Sequence, residues 1–483
     1  MRPVYARRLA LILATTSLAA QLLLGVNALP LTLRMGLLLM ALVVAPGVLL
    51  VEWLLGVHYG DDDASRLEKL LYGLGAGYAL LVTTALVVSF LPGGVAAWQI
   101  MLPLNLVMVV TALMLWRRTT TFREAWSLAA GELFPWPDRR SFWVSVLLVL
   151  VVGGLLRLPN LGYSEFQGDE ARVMLRASEL IEGYENALFA HQKMPAEILV
   201  ETATYAVTRQ MDEAAARLPF TVAGLAALLG VTLLGARLFG PVAGVSAGAL
   251  AALTGYFVAF ARIVQYQSLV LLTIVLALLV LWRMLSARHG LWRYLTTAAL
   301  LLALGVLSHY EAAGALPPVL FIVWRLWRSG VDVKRLMRNL PLPILAFTAP
   351  VLLFVAPFVQ DPTFTAAYSY AVGYRIDAGG FPYNNLVDFF SARISVQHGL
   401  LHLVDGDVDL HRPGWRLSAR TASANGVTIG AADWWRVATD VGAARVADHR
   451  RRRSHVAFLC ADAGFPTAGA APGASREACL VVV

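Results

Sequence analysis

Cysteine is almost absent from this chain of 483 residues: there are two, Cys460 and Cys479, both in its last stretch. That excludes a disulfide framework or a thiolate metal site anywhere before them. Charge is scarce too, at 14% of residues, so most of the chain lacks the means to make a solvated globular surface. The long apolar runs do not alternate with a period of two, which excludes a transmembrane β-barrel. What is present is 58% hydrophobic residues and a mean hydropathy of +0.66, the composition of a polytopic membrane protein. Lipid offers the backbone no hydrogen-bond partners, so such runs must fold as helices.

Apolar segments that approach the bilayer thickness run from Leu9 to Leu29, Met35 to Leu55, Leu70 to Leu91, Trp98 to Trp116 and Phe142 to Leu158. Six more follow: Phe220 to Ala236, Val242 to Phe260, Leu269 to Leu285, Tyr294 to Leu307, Ala312 to Trp327 and Leu342 to Val359. The first resembles a signal peptide in its flanking Arg2, Arg7 and Arg8. Its apolar run is too long for one, and no small-residue cleavage site precedes Pro30, so it reads as an uncleaved span. The expectation is an all-α polytopic membrane protein with about eleven transmembrane helices and a large extracytoplasmic loop of amphipathic interfacial helices.

Orientation follows from the basic loops. Arg117, Arg118, Arg123, Arg139 and Arg140 cluster between spans four and five; Arg283, Arg288 and Arg293 lie between eight and nine; Arg325, Arg328, Lys334, Arg335 and Arg338 lie between ten and eleven. All fall on one side together with the basic N-terminus. That side is cytoplasmic by the positive-inside rule, and the net charge of +8 is then a topology signal that needs no nucleic-acid partner.

Residues 1–140 read as an N-terminal module of four spans ending in a basic cytoplasmic loop, and residues 141–397 as the core. The run Asp61-Asp62-Asp63 fits a solvated turn better than a cation site, since three successive carboxylates cannot share one helix face. The segment from Pro159 to Arg217 is too long for a simple connection. Within it Val173, Ala177, Leu180 and Ile181 recur at helical spacing between Asp169 and Glu182, with Asp169, Arg172 and Arg176 on another side. A second helix is expected from about Pro195 to Gln210, striped by Leu199, Ala203 and Ala206. Both are expected at the membrane interface. From Gln360 the chain turns polar and aromatic (Tyr368, Tyr370, Tyr374, Tyr383, Asn384 and Asn385). Residues 398–483 form an Arg/Ala/Gly-rich tail with neither helical nor strand periodicity, as a frame-shifted or disordered end would have; its run Arg450-Arg451-Arg452-Arg453 also suits anionic lipid or nucleic acid, the less favoured reading.

The chemistry-bearing candidates lie at outer span ends. The stretch Gly168-Asp169-Glu170-Ala171-Arg172 places an acidic pair and a cation just past span five. A carboxylate there can serve as general base on an acceptor hydroxyl, and Arg172, His191, Lys193 and Arg262 can meet a phosphate leaving group. The competing reading is a helix-start pair, Asp169 on the positive end of the dipole. Tyr266 and the run His309-Tyr310-Glu311 are further outer-face candidates, each with an ordinary role as interfacial aromatic or helix end. Glu311, His309 and the acidic pair could hold a divalent metal ion, though their spacing identifies none.

These features, together with His191-Gln192-Lys193-Met194-Pro195, Ala216-Arg217-Leu218-Pro219, Arg237-Leu238-Phe239-Gly240, and Arg262 with Tyr266, resemble the GT-C membrane glycosyltransferases. The likeness is to the protein O-mannosyltransferase and aminoarabinose transferase group, over about Phe142 to Asn385. It implies a polyprenyl-phosphate sugar donor, a lipid, glycan or protein acceptor, and inverting transfer on the outer face. It also implies Asp169 as catalytic base with Glu170 beside it, and Arg172, Lys193 and Arg262 on the donor phosphate. His191, Tyr266, His309, Tyr310 and Glu311 would line the site. Val173 stands where the aminoarabinose transferases often carry tyrosine, and the further spans usual in the family do not follow Gln360. Two other readings remain open: a transporter or flippase for lipid-linked sugars, which would need polar groups at mid-span, and an inactive truncated transferase.

Overall fold

The computed structural model describes residues 2–25, 29–56, 63–117, 139–287, 290–328 and 337–375. Asp61, Asp62, Arg118, Arg123, Arg288, Lys334, Arg335, Tyr383, Asn384, Asn385, the tail and both cysteines lie outside them. Every described element is a helix or helical turn. In chain order they are α1 (Arg2–Leu24), α2 (Leu31–Leu39), α3 (Ala45–Leu55), α4 (Asp63–Ser89), α5 (Ala97–Arg117) and α6 (Arg139–Arg157). Then come α7 (Gly168–Glu182), α8 (Ala196–Thr208), α9 (Glu213–Phe239), α10 (Pro241–Leu253), α11 (Gly255–Phe260) and α12 (Gln267–Met284). The series closes with α13 (Leu291–Ser308), α14 (Leu316–Arg328), α15 (Pro341–Gln360) and α16 (Pro362–Arg375). A wider turn at Met40–Val44 joins α2 to α3 just before Pro46, which has no N–H to give the preceding turn.

Among the described residues nine helices are long and apolar enough to cross a membrane, and they coincide with nine of the eleven expected spans. The other two differ. The run Val242 to Phe260 breaks at Thr254, whose ψ of 118° is extended, into α10 and α11. The run Ala312 to Trp327 is the turn Tyr310–Ala315 followed by α14, a helix of 13 residues that rises only about 20 Å. Both segments still connect the two ends of the bundle. Arg157 at one end donates to Ala251 and Ala252 of α10, while Gly244 lies against Thr232 and Ala236 lower on α9. The turn before α14 meets Tyr266, and Arg325 near its far end covers the ring of Trp282.

Small residues set the close crossings. A Cβ on Gly47 would lie 1.9 Å from the carbonyl oxygen of Gly73, and one on Gly77 2.0 Å from that of Val43, so α3 and α4 touch backbone to backbone. α4 packs also on α8, α9, α12 and α13, and one buried core runs from Ala20 through Phe220 to Phe358. The four N-terminal spans therefore share their interior with the later helices.

Each end of the bundle is tied by buried charge. At one end Glu68 is fully buried and bonded to Arg237 at 2.7 Å and to Arg283 at 3.5 Å, Lys69 meets Glu52 at 3.1 Å, and Arg293 donates to the Trp53 and Leu54 carbonyls. At the other end stand α7, α8 and the segment between α11 and α12. The expected pair of loop helices is present, but only α7 has an exposed polar face. α8 is buried on every side, its Glu197 and Glu201 included, because α2, α4, α5, α7, α9 and α13 pack around it.

Candidate active site

α7 begins where Glu170 can reach back: its Oε2 accepts from the Gln167 backbone N–H at 3.1 Å, closing the first turn. The same carboxylate takes a bidentate pair from Arg217, Nε to Oε1 at 2.9 Å and Nη2 to Oε2 at 2.8 Å. A fourth donor, the Val264 backbone N–H, reaches Oε1 at 2.9 Å. Arg217 in turn donates to the carbonyls of Leu161, Ser164 and Glu165. Glu170, expected beside the catalytic base, is thus fully buried at the junction of α7, α9, the 161–165 loop and the 262–266 segment. Tyr163 lies between two guanidinium groups, Arg217 at 4.8 Å and Arg262 at 5.2 Å from its ring.

Asp169 points the other way. Its side chain is half exposed, and Oδ2 has Lys193 Nζ at 3.7 Å and Gln265 Nε2 at 3.5 Å. Arg172 is exposed one turn along α7 and has no side-chain partner among the described residues. Lys193 arrives on a loop fixed on both sides. Before it, Phe189 stacks on Phe358 at 5.9 Å and His191 Nε2 meets Glu197 Oε1 at 2.8 Å; after it, α8 begins. His191 is buried in that pair, away from solvent.

Arg262 is committed to main chain: Nη1 donates to the Leu156 and Arg157 carbonyls and Nη2 to that of Asn160, at 3.1–3.3 Å. It caps the end of α6 as Arg157 caps α10, cations on the negative ends of helix dipoles. Tyr266, His309 and Tyr310 form a stack, with centroids 3.7 and 3.9 Å from the histidine ring. His309 Nδ1 accepts the Glu311 backbone N–H at 3.3 Å and lies 3.6 Å from the Glu311 carboxylate. Glu311 also accepts from the Tyr266 hydroxyl at 3.3 Å, and with Arg157, Tyr256, Phe260, Gln267 and Ile274 it lines a cavity of about 250 Å³. Among the described residues no three His, Cys, Asp or Glu side chains are grouped as metal ligands, so the acidic pair, His309 and Glu311 do not converge.

Three residues stand out that the sequence reading did not weigh. Gln265 touches Asp169, Arg157 holds the end of α10, and Glu201 sits fully buried with neither carboxyl oxygen bonded. Burial, and after it the negative charge of Glu170, pushes the Glu201 carboxyl well above the usual carboxylate range. The available signal was a pair of glutamates four residues apart in an otherwise apolar helix.

At one end of this all-helical membrane bundle, then, an acid, cations and aromatics lie on neighbouring helices and loops. Residues 198–360 match the family model described as dolichyl-phosphate-mannose-protein mannosyltransferase. The match supports a GT-C-like membrane glycosyltransferase of the mannosyltransferase type, as the sequence motifs implied. It takes in Arg217, Arg262, Tyr266 and His309 to Glu311, while Asp169 and Lys193 precede it. No curated protein and no solved structure matches the chain.

Proposed function

We propose that this protein moves a sugar from a polyprenyl-phosphate donor to an acceptor hydroxyl, with Asp169 as general base and inversion at the anomeric carbon. The observation that carries the reading is the division of labour in the acidic pair. Glu170 has four hydrogen bonds and no exposure, whereas Asp169 is half exposed beside Lys193 with Oδ1 unoccupied. A single free carboxylate suits one displacement: it takes the hydroxyl proton while the hydroxyl oxygen attacks the anomeric carbon. The bond from that carbon to the phosphate oxygen breaks, and its electron pair leaves on the polyprenyl phosphate.

Lys193 and Arg172 are assigned to that phosphate, as cations near the base that are not consumed by main-chain carbonyls. Arg262, with its carbonyl bonds, is assigned to holding α6, and Glu170 to fixing the start of α7. His309, Tyr310 and Tyr266 are assigned to the wall of the site. The opposite end of the bundle collects Arg237, Arg283, Arg293, Arg325 and Arg328, which supports an extracytoplasmic position for Asp169.

The test is Asp169→Asn in purified protein reconstituted in liposomes, assayed with dolichyl-phosphate mannose and a threonine-containing peptide. Transfer is expected to be lost while insertion and melting temperature stay unchanged. Transfer at the wild-type rate would overturn the assignment.

A further inference from the structure

We propose that Gln265 is a positioning residue for this reaction: its side-chain amide holds Asp169 Oδ2 so that Oδ1 is presented to the acceptor hydroxyl. The inference rests on the reading of Asp169 as the base.

A carboxylate turns easily about its last torsion, which is broad and twofold, and a half-exposed one has water to bond on either oxygen. Something must break that symmetry if one oxygen is to face the substrate. Both contacts to Asp169 fall on Oδ2: Gln265 Nε2 at 3.5 Å and Lys193 Nζ at 3.7 Å. Among the described residues no donor reaches Oδ1. The two holders are not equivalent. Lys193 is about a third exposed, on a long side chain, and is the cation assigned to the donor phosphate. Once it turns to that phosphate, Gln265 is what remains on Oδ2.

Gln265 is built for the task. It is 5% exposed and lies in a segment fixed at alternate residues. Arg262 donates to the α6 carbonyls, the Val264 N–H is bound to Glu170 at 2.9 Å, and the Tyr266 hydroxyl reaches Glu311 at 3.3 Å. One short stretch therefore reads both acids of the pair, Glu170 through its main chain and Asp169 through a side chain. A neutral amide does this without adding a second cation to compete with Lys193 for the carboxylate or for the phosphate.

The test compares Gln265→Glu, Gln265→Leu and Gln265→His with Asp169→Asn in the liposome assay with dolichyl-phosphate mannose and the threonine-containing peptide. Gln265→Leu removes the donor, and kcat is expected to fall by about 10- to 100-fold with the donor KM within about twofold. Gln265→Glu has the same shape and puts a second carboxylate beside the base, which favours the protonated base. The acid limb of its kcat–pH profile is expected to move to higher pH. Gln265→His, which can return an N–H, is expected to recover part of the rate. Melting temperatures of all variants separate this from a folding defect, which would lower rate and stability together and leave the pH limb in place. Unchanged kcat and pH profile in folded Gln265→Glu, with Asp169→Asn inactive, overturns the inference alone. An active Asp169→Asn overturns the reading beneath it.

Discussion

Arg217 meets Glu170 fork to fork, at 2.9 and 2.8 Å, with neither side chain exposed to solvent. Such a pair is weak evidence for stability when compared with an apolar replacement of both partners, because two charges have been taken out of water. Here the comparison is not simple. Glu170 also accepts two backbone N–H groups, and Arg217 also donates to three carbonyls, so removing either orphans main-chain groups in several elements at once.

Truncating one partner should therefore be costly. Arg217→Leu leaves a buried, uncompensated carboxylate and is expected to destabilise the fold by about 3–5 kcal/mol. The double variant Arg217→Leu with Glu170→Leu should recover only part of that, since the Val264 and Gln167 N–H groups stay unpaired. Thermal unfolding in detergent measures both. A double variant as stable as the wild type would mean that the backbone bonds to Glu170 carry little weight.

Glu201 gives a pH prediction with a definite sign. In the unfolded chain this carboxyl ionises in the ordinary range, while burial and the charge of Glu170 keep it protonated to higher pH in the fold. The native state then binds the extra proton between those two values, so stability is fullest below the unfolded value and falls as pH rises through the window. Glu201→Gln removes the titration. Its melting temperature should match the wild type near pH 4 and exceed it increasingly toward neutral pH. A gap that stays constant with pH would show that Glu201 does not take up a proton on folding.

The contrast between α7 and α8 shows how far the sequence could be read. α7 was legible because its apolar residues recur on one face and its acids sit at the start, and the helix follows that pattern from Gly168 to Glu182. α8 has a similar stripe, yet its other face is buried as well, and no local pattern announces that six other helices will enclose it. The apolar run through Thr254 likewise looks continuous. Its break is fixed by Arg157, whose bonds to Ala251 and Ala252 join residues 94 and 95 positions apart. In the site, residue types pointed to Asp169 and Lys193, which do lie together. They could not separate Asp169 from Glu170, because that distinction is made by Arg217 and Val264, far along the chain.

Lys193 supplies the last prediction. It stands 3.7 Å from Asp169, an ion pair open enough to exchange for another anion. If it moves to the donor phosphate, its charge is used where negative charge develops on the leaving group, and its loss should act on the chemical step as well as on binding. Lys193→Met is expected to lower kcat/KM for dolichyl-phosphate mannose by about 100-fold or more. Lys193→Arg should restore part of it, since charge is kept while the point-like ammonium is replaced by a planar fork. Arg172→Met, one turn along α7 and more exposed, should show a smaller loss concentrated in KM. The two effects should be less than additive in the double variant if both cations meet one phosphate, and additive if they act apart. A Lys193→Met enzyme with wild-type kcat/KM would remove Lys193 from the donor site and leave its contact with Asp169 as an ordinary surface pair.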